Sequence, residues 1–248
     1  MSASGFELSA FVYAHRGLWD EDKPENSVAA FEAAARAGLG CELDARVTGD
    51  GQIVVFHDPT LQRMCGRPDR IDAMATGDVR KVRLPDGSHI PTLDEALEAM
   101  AGMPVLIEVK IDLTPGSDVY NRTGLPALLR SMQLSAAPAA VMSFDELTMT
   151  MLAPGLAGRL AGQLIERGDL QDPGATLAKA RRAVDKGCSY LAPELSELGR
   201  VALGFPGFPL VSWTARSSAD LMHCRRLGAA PIFEAMQPDL AKGSVGQI

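Results

Sequence analysis

Charged and histidine side chains cluster in short motifs in the first half of the chain. The motifs are His15-Arg16-Gly17, Glu42-Leu43-Asp44 and Glu108-Val109-Lys110, and each lies within or directly after a run of apolar residues. Because side chains alternate along a strand, Glu42 and Asp44 are expected to project to the same side of theirs. Charged residues almost never enter strand interiors unless they are paired or hold a ligand. These motifs are therefore candidates for a functional site.

Three of these side chains, Glu42, Asp44 and Glu108, are carboxylates that would repel one another at a shared site. A bound cation relieves that repulsion, and a donor set made only of oxygen atoms favours Mg²⁺ or Ca²⁺ over zinc. The four cysteines lie far apart and form no CxxC pair, which also argues against zinc. The sequence therefore predicts one divalent metal site built from the three carboxylates.

Two cations and two histidines accompany the acidic residues. Arg16 and Lys110 belong to the same motifs, and their charge suits an anionic substrate such as a phosphate. His15, together with His57 at the end of a predicted hairpin strand, supplies an acid and a base near neutral pH. A metal, a cationic clamp and two histidines together predict phosphoryl transfer or cleavage of a phosphodiester.

The elements that position these residues are short apolar strands alternating with amphipathic helices along the whole chain. The predicted strands are Phe11–His15, Cys41–Arg46, Gln52–His57, Pro104–Lys110, Ala140–Ser143, Arg159–Ile165, Ser189–Ala192, Pro209–Trp213 and Pro231–Glu234. The predicted helices are Ser27–Ala37, Thr92–Met100, Leu125–Met132, Ala175–Lys186 and Ala219–Leu227. This alternation indicates right-handed crossovers and a parallel sheet.

The strand Gln52–His57 is the exception, because it follows Asp50-Gly51, a hairpin signal, and is predicted antiparallel to the strand before it. Eight parallel strands remain, in a chain of 248 residues. That is the strand count and size of a (β/α)8 barrel, whose active sites lie at the carboxyl ends of the strands. We predict an α/β protein of this fold, with an antiparallel hairpin arm after the second strand and one domain over residues 1–248. A doubly wound open sheet is the alternative, but no Gly-x-Gly-x-x-Gly follows the first strand.

The composition limits the partners of the protein. The chain carries 24 Lys and Arg against 31 Asp and Glu, for a formal net charge of −7, which argues against nucleic acid as a ligand. It contains no apolar run of about 18 residues, so no transmembrane segment is predicted, and its first residues lack the pattern of a signal peptide. With reduced thiols as the simplest state of the cysteines, we expect a cytoplasmic protein. The oligomeric state is left open.

The series of motifs, taken in order, resembles that of the glycerophosphodiester phosphodiesterases. The motifs are His15-Arg16-Gly17, Pro24-Glu25-Asn26-Ser27, Glu42-Leu43-Asp44, His57-Asp58-Pro59-Thr60-Leu61, Ile90-Pro91-Thr92-Leu93, Ile107-Glu108-Val109-Lys110, Ser143-Phe144 and Trp213-Thr214. The resemblance covers nearly the whole chain. It implies a (β/α)8 barrel that hydrolyses glycerophosphodiesters to sn-glycerol 3-phosphate and an alcohol with a divalent metal.

By position, the resemblance also implies roles for individual residues. It makes Glu42, Asp44 and Glu108 metal ligands. It makes His15 and His57 the acid–base pair, and Arg16 and Lys110 the residues that hold the phosphate. Trp213 ends a predicted strand and is expected to form a wall of the substrate pocket. Before the first helix, Asn26 or Ser27 either caps that helix or supports the site.

The chain departs from the family pattern at its last strand. Many members have a Gly-Ile-Ile-Thr-Asp stretch where this chain has Pro231–Met236, so Glu234 either replaces that aspartate or makes a different contact. The insertion that some relatives carry after the hairpin is short here, which disfavours a bulky lipid substrate. The loop Asp112–Gly124 is either a lid over the site or a plain connection.

Three other functions compete with the phosphodiesterase. A lysophospholipase D-like enzyme would use the same chemistry but needs a wider apolar mouth. A non-catalytic glycerophosphodiester-binding protein would not need both histidines. A metal amidohydrolase on the same barrel would need His-x-His on the first strand, where position 17 is glycine.

Overall fold

The computed structural model describes residues 6–112, 121–156, 158–168 and 174–243. In these ranges the strands are β1 (Tyr13–His15), β2 (Gly40–Val47), β3 (Ile53–Val55), β4 (Val105–Val109), β5 (Ala139–Ser143), β6 (Ala161–Ile165), β7 (Tyr190–Pro193), β8 (Leu210–Ala215) and β9 (Ala229–Phe233). The helices are α1 (Val28–Arg36), α2 (Gln62–Cys65), α3 (Thr76–Val79), α4 (Leu93–Ala99), α5 (Leu125–Leu134), α6 (Glu146–Leu152), α7 (Ala175–Asp185), α8 (Leu198–Gly204), α9 (Ser218–Arg226) and α10 (Pro238–Gly243). Most of the loop 112–124, which was predicted as a lid or a connection, lies outside the described residues.

The chain divides into two compact units, Met1–His15 with Pro138–Ile248, and Arg16–Ala137. In the first unit the strands pair in the order β1-β9-β8-β7-β6-β5, and every pair is parallel. Helices α6 to α9 connect successive strands of this unit, and α10 follows β9. Parallel neighbours need such crossovers, since a tight turn can join only antiparallel strands.

The second unit contains the strands β4-β2-β3 in that order. β2 and β4 are parallel, whereas β3 runs antiparallel to β2, with Ala45 opposite Val55. All five residues of β4 are buried, as are all residues of β2 except Val47. Strands covered on both faces bury any charged residue that they carry, and in this unit three carboxylates are buried in that way.

Eight strands that alternate with helices, with one extra antiparallel strand after the second, are the fold class predicted from the sequence. The (β/α)8 prediction is therefore confirmed, and the hairpin after Asp50-Gly51 is present. The hairpin strand, Ile53–Val55, is shorter than the predicted Gln52–His57, although the Phe56 backbone N–H still donates to the Asp44 carbonyl at 2.9 Å. The prediction of a single domain stays a prediction.

The five predicted helices are all present as α1, α4, α5, α7 and α9, whereas the described helices α2, α3, α6, α8 and α10 were not predicted. α8 contains Gly199 and ends at Gly204, and glycine lowers helix propensity by about 1 kcal/mol relative to alanine. α6 contains Thr148 and Thr150, whose branched side chains also disfavour a helix. Burial of side chains such as Leu152 of α6 and Leu198 and Val201 of α8 thus overrides local propensity at both helices.

Residues 56–90, called the arm here, fold around a small apolar core of their own. Buried side chains of the arm and of β3 form this arm core: Val54, Phe56, Leu61, Ile71, Val79, Val82, Leu84 and Ile90. Met64, Cys65 and Met74 pack against it. The sequence predicts no helix or strand between Gln52–His57 and Thr92–Met100, but the buried apolar side chains of the arm give it a fixed structure that includes α2 and α3.

No helix among the described residues is long and apolar enough to cross a membrane.

Candidate active site

The three predicted metal ligands meet in one buried cluster. Glu42 and Asp44 lie on β2 and Glu108 lies on β4, and in the register of these strands Asp44 is opposite Glu108. Each of the three offers a carboxylate oxygen, and these oxygens lie within 4.8 Å of one another. The three residues are at most 7% exposed. Alternation along β2 and parallel pairing with β4 thus bring the acidic residues together.

Lys110 and Arg16 lie against this acidic cluster. Lys110 Nζ is 3.0 Å from Asp44 Oδ1 and 2.6 Å from Glu108 Oε1. Arg16 Nε is 3.3 Å from Asp44 Oδ2, and the Arg16 backbone N–H donates to Glu42 Oε2 at 3.2 Å. Buried charges need counter-charges. The two residues predicted to hold a phosphate are therefore beside the predicted ligands and partly neutralise them.

The charge balance differs between the two carboxylates of β2. Burial raises the pKa of Glu42 well above its usual value, and the negative charges of Asp44 and Glu108 raise it further. Burial also opposes ionisation of Asp44, but Lys110 and Arg16 outweigh it and hold the pKa of Asp44 below its usual value. The neighbouring cations therefore do not neutralise the charge of an ionised Glu42. An oxygen-only donor set of this spacing and charge fits a divalent cation such as Mg²⁺ or Ca²⁺.

The backbone between β1 and α1 is shaped to carry Arg16 to the cluster. Arg16 has φ of 59° and Asn26 has φ of 57°, a region that non-glycine residues seldom adopt. Gly17 has φ of 86°, and a Cβ there would lie 2.8 Å from Ala30 Cβ of α1. Only glycine allows this close approach. Unusual backbone of this kind often marks functional sites.

Asn26 contacts the acidic cluster, and Ser27 caps α1. Asn26 Nδ2 donates to Asp44 Oδ2 at 2.8 Å, and the Asp44 backbone N–H donates to Asn26 Oδ1 at 3.3 Å. The Ser27 hydroxyl accepts from the Ala30 backbone N–H at the start of α1. Ser27 thus takes the capping role, and the role of Asn26 in supporting the site stays a prediction.

His57 is held by its sequence neighbour. His57 Nδ1 lies 2.7 Å from Asp58 Oδ1, and the His57 carbonyl accepts from Arg46 Nε at 2.7 Å. Burial lowers the pKa of the His57 ring. Burial opposes ionisation of Asp58, but hydrogen bonds from Arg63 and His57 hold its pKa below the usual value. An ionised Asp58 accepts the Nδ1 proton, which leaves Nε2 as the nitrogen that can take up a proton.

His15 has an equivalent partner at the other end of the chain. Its Nδ1 lies 2.5 Å from Glu234 Oε2, and the other oxygen of Glu234 lies 3.3 Å from Arg216 Nη2. The hydrogen bond from His15 is the largest cause that lowers the pKa of Glu234, to about 2. Glu234, where the chain departs from the family pattern, therefore presents a carboxylate to a histidine.

Trp213, predicted as a pocket wall, is anchored on β8. Its indole Nε1 donates to the Ala192 carbonyl at 2.8 Å. Its ring meets Phe144 edge to face, with centroids 5.6 Å apart and an interplanar angle of 88°. These contacts fix the ring, while its role toward a substrate stays a prediction.

The other histidines and the cysteines belong to different surroundings. His89 Nε2 lies 3.2 Å from Glu95 Oε1, in a partly exposed group that also includes Arg80. His223 lies on α9 and is half-buried. All four cysteines are free, and three of them are buried. None of these side chains is part of the acidic cluster.

Arg63 was missed by sequence reasoning, although it contacts two residues of the quoted motifs. It lies on α2 and donates to Asp58 and to Glu25. Its position six residues after His57 was the available signal. No helix or strand was predicted there, so the sequence gave no direction for the Arg63 side chain.

A (β/α)8 barrel that carries a buried acidic cluster with two flanking cations belongs to the class of candidate metal-dependent enzymes. The model of the Glycerophosphoryl diester phosphodiesterase family matches residues 15–234. The chain belongs to this family. The resemblance stated from its motifs is therefore confirmed, and so is the prediction that it is an enzyme of the phosphodiesterase class.

Two curated relatives come from Mycobacterium tuberculosis. "Probable glycerophosphodiester phosphodiesterase 1" is 28% identical over 251 residues, covering 89% of this chain and 87% of the relative. "Probable glycerophosphodiester phosphodiesterase 2" is 41% identical over 98 residues, covering 39% of this chain and 37% of the relative. The second match therefore spans well under half of either protein.

Solved structures share the fold over nearly the whole chain. An Oleispira antarctica phosphodiesterase in complex with the product sn-glycerol-3-phosphate has a TM-score of 0.78 at 21% identity, covering 96% of this chain and 97% of that one. A glycerophosphodiester phosphodiesterase from Thermotoga maritima has a TM-score of 0.73 at 24% identity, covering 94% and 96%. At these identities the likeness establishes the fold.

Proposed function

We propose that the chain hydrolyses glycerophosphodiesters to sn-glycerol 3-phosphate and an alcohol, with one Mg²⁺ or Ca²⁺ bound by Glu42, Asp44 and Glu108. The observation that carries the proposal is the buried cluster of these carboxylates, whose oxygens lie within 4.8 Å of one another beside two cationic side chains. Family membership supports the reaction. The sn-glycerol-3-phosphate bound to the Oleispira antarctica phosphodiesterase supports the product.

In this proposal the cationic side chains bind the substrate phosphate. When bound, the metal supplies a Lewis acid that favours negative charge on the phosphate oxygens. Arg16 and Lys110 donate to those oxygens, and both carry a full positive charge, because burial is outweighed by Asp44 and its acidic neighbours and the pKa of each is raised. Charge that builds up in the transition state is thereby stabilised.

The two histidines move the protons. Each has a carboxylate at Nδ1, Glu234 for His15 and Asp58 for His57, which orients the ring and leaves Nε2 for proton transfer. One histidine takes the proton from the attacking oxygen, and the other gives a proton to the leaving alkoxide. The attacking oxygen is either a hydroxyl of the glycerol, which forms a cyclic phosphate, or that of water. A ³¹P NMR time course distinguishes these routes, because only the first accumulates a cyclic phosphate.

The substrate class follows from the same residues. One cationic clamp reads the phosphate, and Trp213 is proposed as a wall of the pocket. We expect comparable turnover of glycerophosphodiesters with different head groups and little turnover of a diester without glycerol. The cytoplasmic location predicted from the sequence stays a prediction, and subcellular fractionation checks it.

The test is a coupled assay for glycerol 3-phosphate on the purified protein with glycerophosphocholine as substrate. We expect turnover that EDTA abolishes and that Mg²⁺ or Ca²⁺ restores. Glu42→Gln is expected to remove turnover at all metal concentrations, and Glu32→Gln, an exposed glutamate of α1, serves as the matched control. Full activity after exhaustive chelation contradicts the metal proposal. Binding of glycerophosphocholine without release of glycerol 3-phosphate supports a binding protein instead.

A further inference from the structure

We infer that Arg63 is a positioning residue that holds His57 and Arg16 in place together, through Asp58 on one side and Glu25 on the other. The inference rests on the proposed function, because it assigns Arg63 to the residues that would move the proton and bind the phosphate. Arg63 belongs to none of the motifs that carry the family resemblance.

The guanidinium of Arg63 bridges two carboxylates. Its Nε donates to Asp58 Oδ2 at 2.6 Å. Its Nη2 donates to Glu25 Oε1 at 2.6 Å, and its Nη1 donates to Glu25 Oε2 at 3.2 Å. The planar fork of arginine can satisfy both carboxylates at once, whereas the single ammonium of lysine cannot.

Each of these carboxylates contacts a proposed functional side chain. The other oxygen of Asp58 lies 2.7 Å from His57 Nδ1. Glu25 Oε1, which accepts from Arg63, also accepts from Arg16 Nη1 at 3.1 Å. The result is an unbroken series of contacts from His57 through Asp58, Arg63 and Glu25 to Arg16, in which negative and positive charges alternate from Asp58 onward.

The two carboxylate partners of Arg63 are largely shielded from water. The side chain of Glu25 is 11% exposed and that of Asp58 is 20% exposed, so water compensates little of their charge. Without Arg63, Arg16 would be the one cation left among the described ion pairs of Glu25, and would be drawn toward it. Asp58 would lose its partner opposite His57 and could rotate. Both changes displace a proposed functional side chain.

The arm core fixes α2 and thereby the start of the Arg63 side chain. Leu61, which precedes α2, is fully buried in the arm core, and Met64 packs against it. Gly66 ends the helix with φ of 67°. A one-turn helix held in this way leaves the Arg63 side chain to reach outward to Asp58 and Glu25.

Arg67 is a matched control on the same segment. Its Nε donates to Asp69 Oδ2 at 2.9 Å, and the side chains of Arg67 and Asp69 are 49% and 40% exposed. An exposed pair of this kind contributes little to stability or function. Arg63 and Arg67 therefore share residue type, charge and segment. They differ in that the carboxylate partners of Arg63 contact His57 and Arg16.

The first experiment measures the kinetics of Arg63→Ala, Arg63→Lys and Arg67→Ala on glycerophosphocholine with Mg²⁺. We expect Arg63→Ala to lower kcat/KM by about 10- to 100-fold. Displacement of His57 should lower kcat, and displacement of Arg16 should raise KM. Arg63→Lys should recover part of this loss, and Arg67→Ala should match the wild type. Guanidinium at millimolar concentration should raise the activity of Arg63→Ala and leave that of Arg67→Ala unchanged.

A double-mutant comparison separates the effect of Arg63 on Asp58 from its effect on Glu25. Asp58→Asn is expected to act mainly on kcat and Glu25→Gln mainly on KM. In the Asp58→Asn background, Arg63→Ala should therefore change KM and add little to the loss of kcat. Equal kinetics of Arg63→Ala and Arg67→Ala overturn the inference. It is also overturned if the activity lost in Arg63→Ala is explained by a lower melting temperature and guanidinium does not restore it.

A spectroscopic measurement separates this inference from the proposed function. Long-range ¹H–¹⁵N NMR of the neutral imidazoles reports which nitrogen of His57 carries the proton, with His57→Asn to assign the signal. We expect the Nδ1–H form in the wild type and in Arg67→Ala, and a mixture of forms in Arg63→Ala. A wild type without turnover that still shows this difference refutes the phosphodiesterase and retains Arg63 as the residue that positions His57. An unchanged His57 signal in Arg63→Ala refutes the positioning role.

Discussion

Glu234→Gln tests whether a carboxylate at the end of the chain controls His15. Glutamine keeps the length of the side chain but removes the charge that faces His15 Nδ1 at 2.5 Å. Its amide group can also donate to Nδ1, which stabilises the opposite tautomer of the ring and takes Nε2 out of its acceptor role. We expect kcat on glycerophosphocholine to fall by about 10- to 100-fold, as is typical for the partner of a functional histidine.

The cost in stability follows from the ionisation of Glu234. The hydrogen bond from His15, the largest cause, lowers the pKa of Glu234 from 4.5 to about 2. A lowering of this size corresponds to about 3 kcal/mol for a group shielded from water. Because the Glu234 side chain is partly exposed, screening reduces this to about 1–2 kcal/mol.

The sign of the pH dependence is fixed by the lowered pKa. The folded protein holds the Glu234 proton less tightly than the unfolded chain does, so the contribution to the free energy of unfolding is full above about pH 4.5 and is lost as the pH falls toward 2. Urea denaturation of the wild type and of Glu234→Gln should therefore differ by about 1–2 kcal/mol at pH 7 and converge as the pH approaches 2.

Two further results bear on this reasoning. Glu234→Asp, which restores the residue type typical of the family, should retain more activity than Glu234→Gln if charge matters more than reach. The reasoning is refuted if Glu234→Gln keeps the wild-type kcat, or if the difference in unfolding free energy is the same at every pH.

His15→Asn and His57→Asn should each lower kcat by about 10²- to 10⁴-fold in the coupled assay with folding unchanged, because asparagine cannot transfer a proton near pH 7; His89→Asn and His223→Asn are the controls. A p-nitrophenyl diester should rescue only the variant that lost the acid, and near-normal activity of either variant on the natural substrate would make that histidine structural. Lys110→Met should lower the free energy of unfolding by about 3 kcal/mol in EDTA, because it leaves buried carboxylates without their partner. Added Mg²⁺ should recover more stability in this variant than in the wild type, and a thermal shift that is identical for both proteins would contradict the shared role of Lys110 and the cation. Gly17→Ala should lower the melting temperature, because its Cβ would meet Ala30 Cβ at 2.8 Å; an unchanged melting temperature would show that α1 can move away.

The metal-ligand candidates were predictable from the sequence because they depend on local periodicity. The spacing of Glu42 and Asp44 fixes their common face, and parallel pairing of β2 with β4 then places Glu108 opposite Asp44. The fold class was predictable for a related reason, since the alternation of strands and helices together with the Asp50-Gly51 turn leaves few topologies. Their roles in binding a metal stay predictions.

The partners of the histidines were less predictable, since they depend on contacts between distant segments or on irregular backbone. Glu234 stood out as a departure from the family pattern, but its contact with His15 joins residues 219 positions apart. Arg63 lies in the arm, whose structure comes from buried apolar residues without a regular period. Periodicity carries no information about such a segment, so neither the direction nor the partners of the Arg63 side chain could be inferred.

The arm core consists of side chains of the arm and Val54 of β3, and from it we expect a local opening of the arm. A segment that packs around its own few apolar side chains can unfold locally at a lower free energy than the whole chain. Because the arm carries Asp58 and Arg63, its opening would release His57 while the strands and their acidic cluster remain folded. Activity would then be lost on warming before the main cooperative transition. Cys65, a partly buried thiol that packs against the arm core, would report this opening through its rate of chemical labelling.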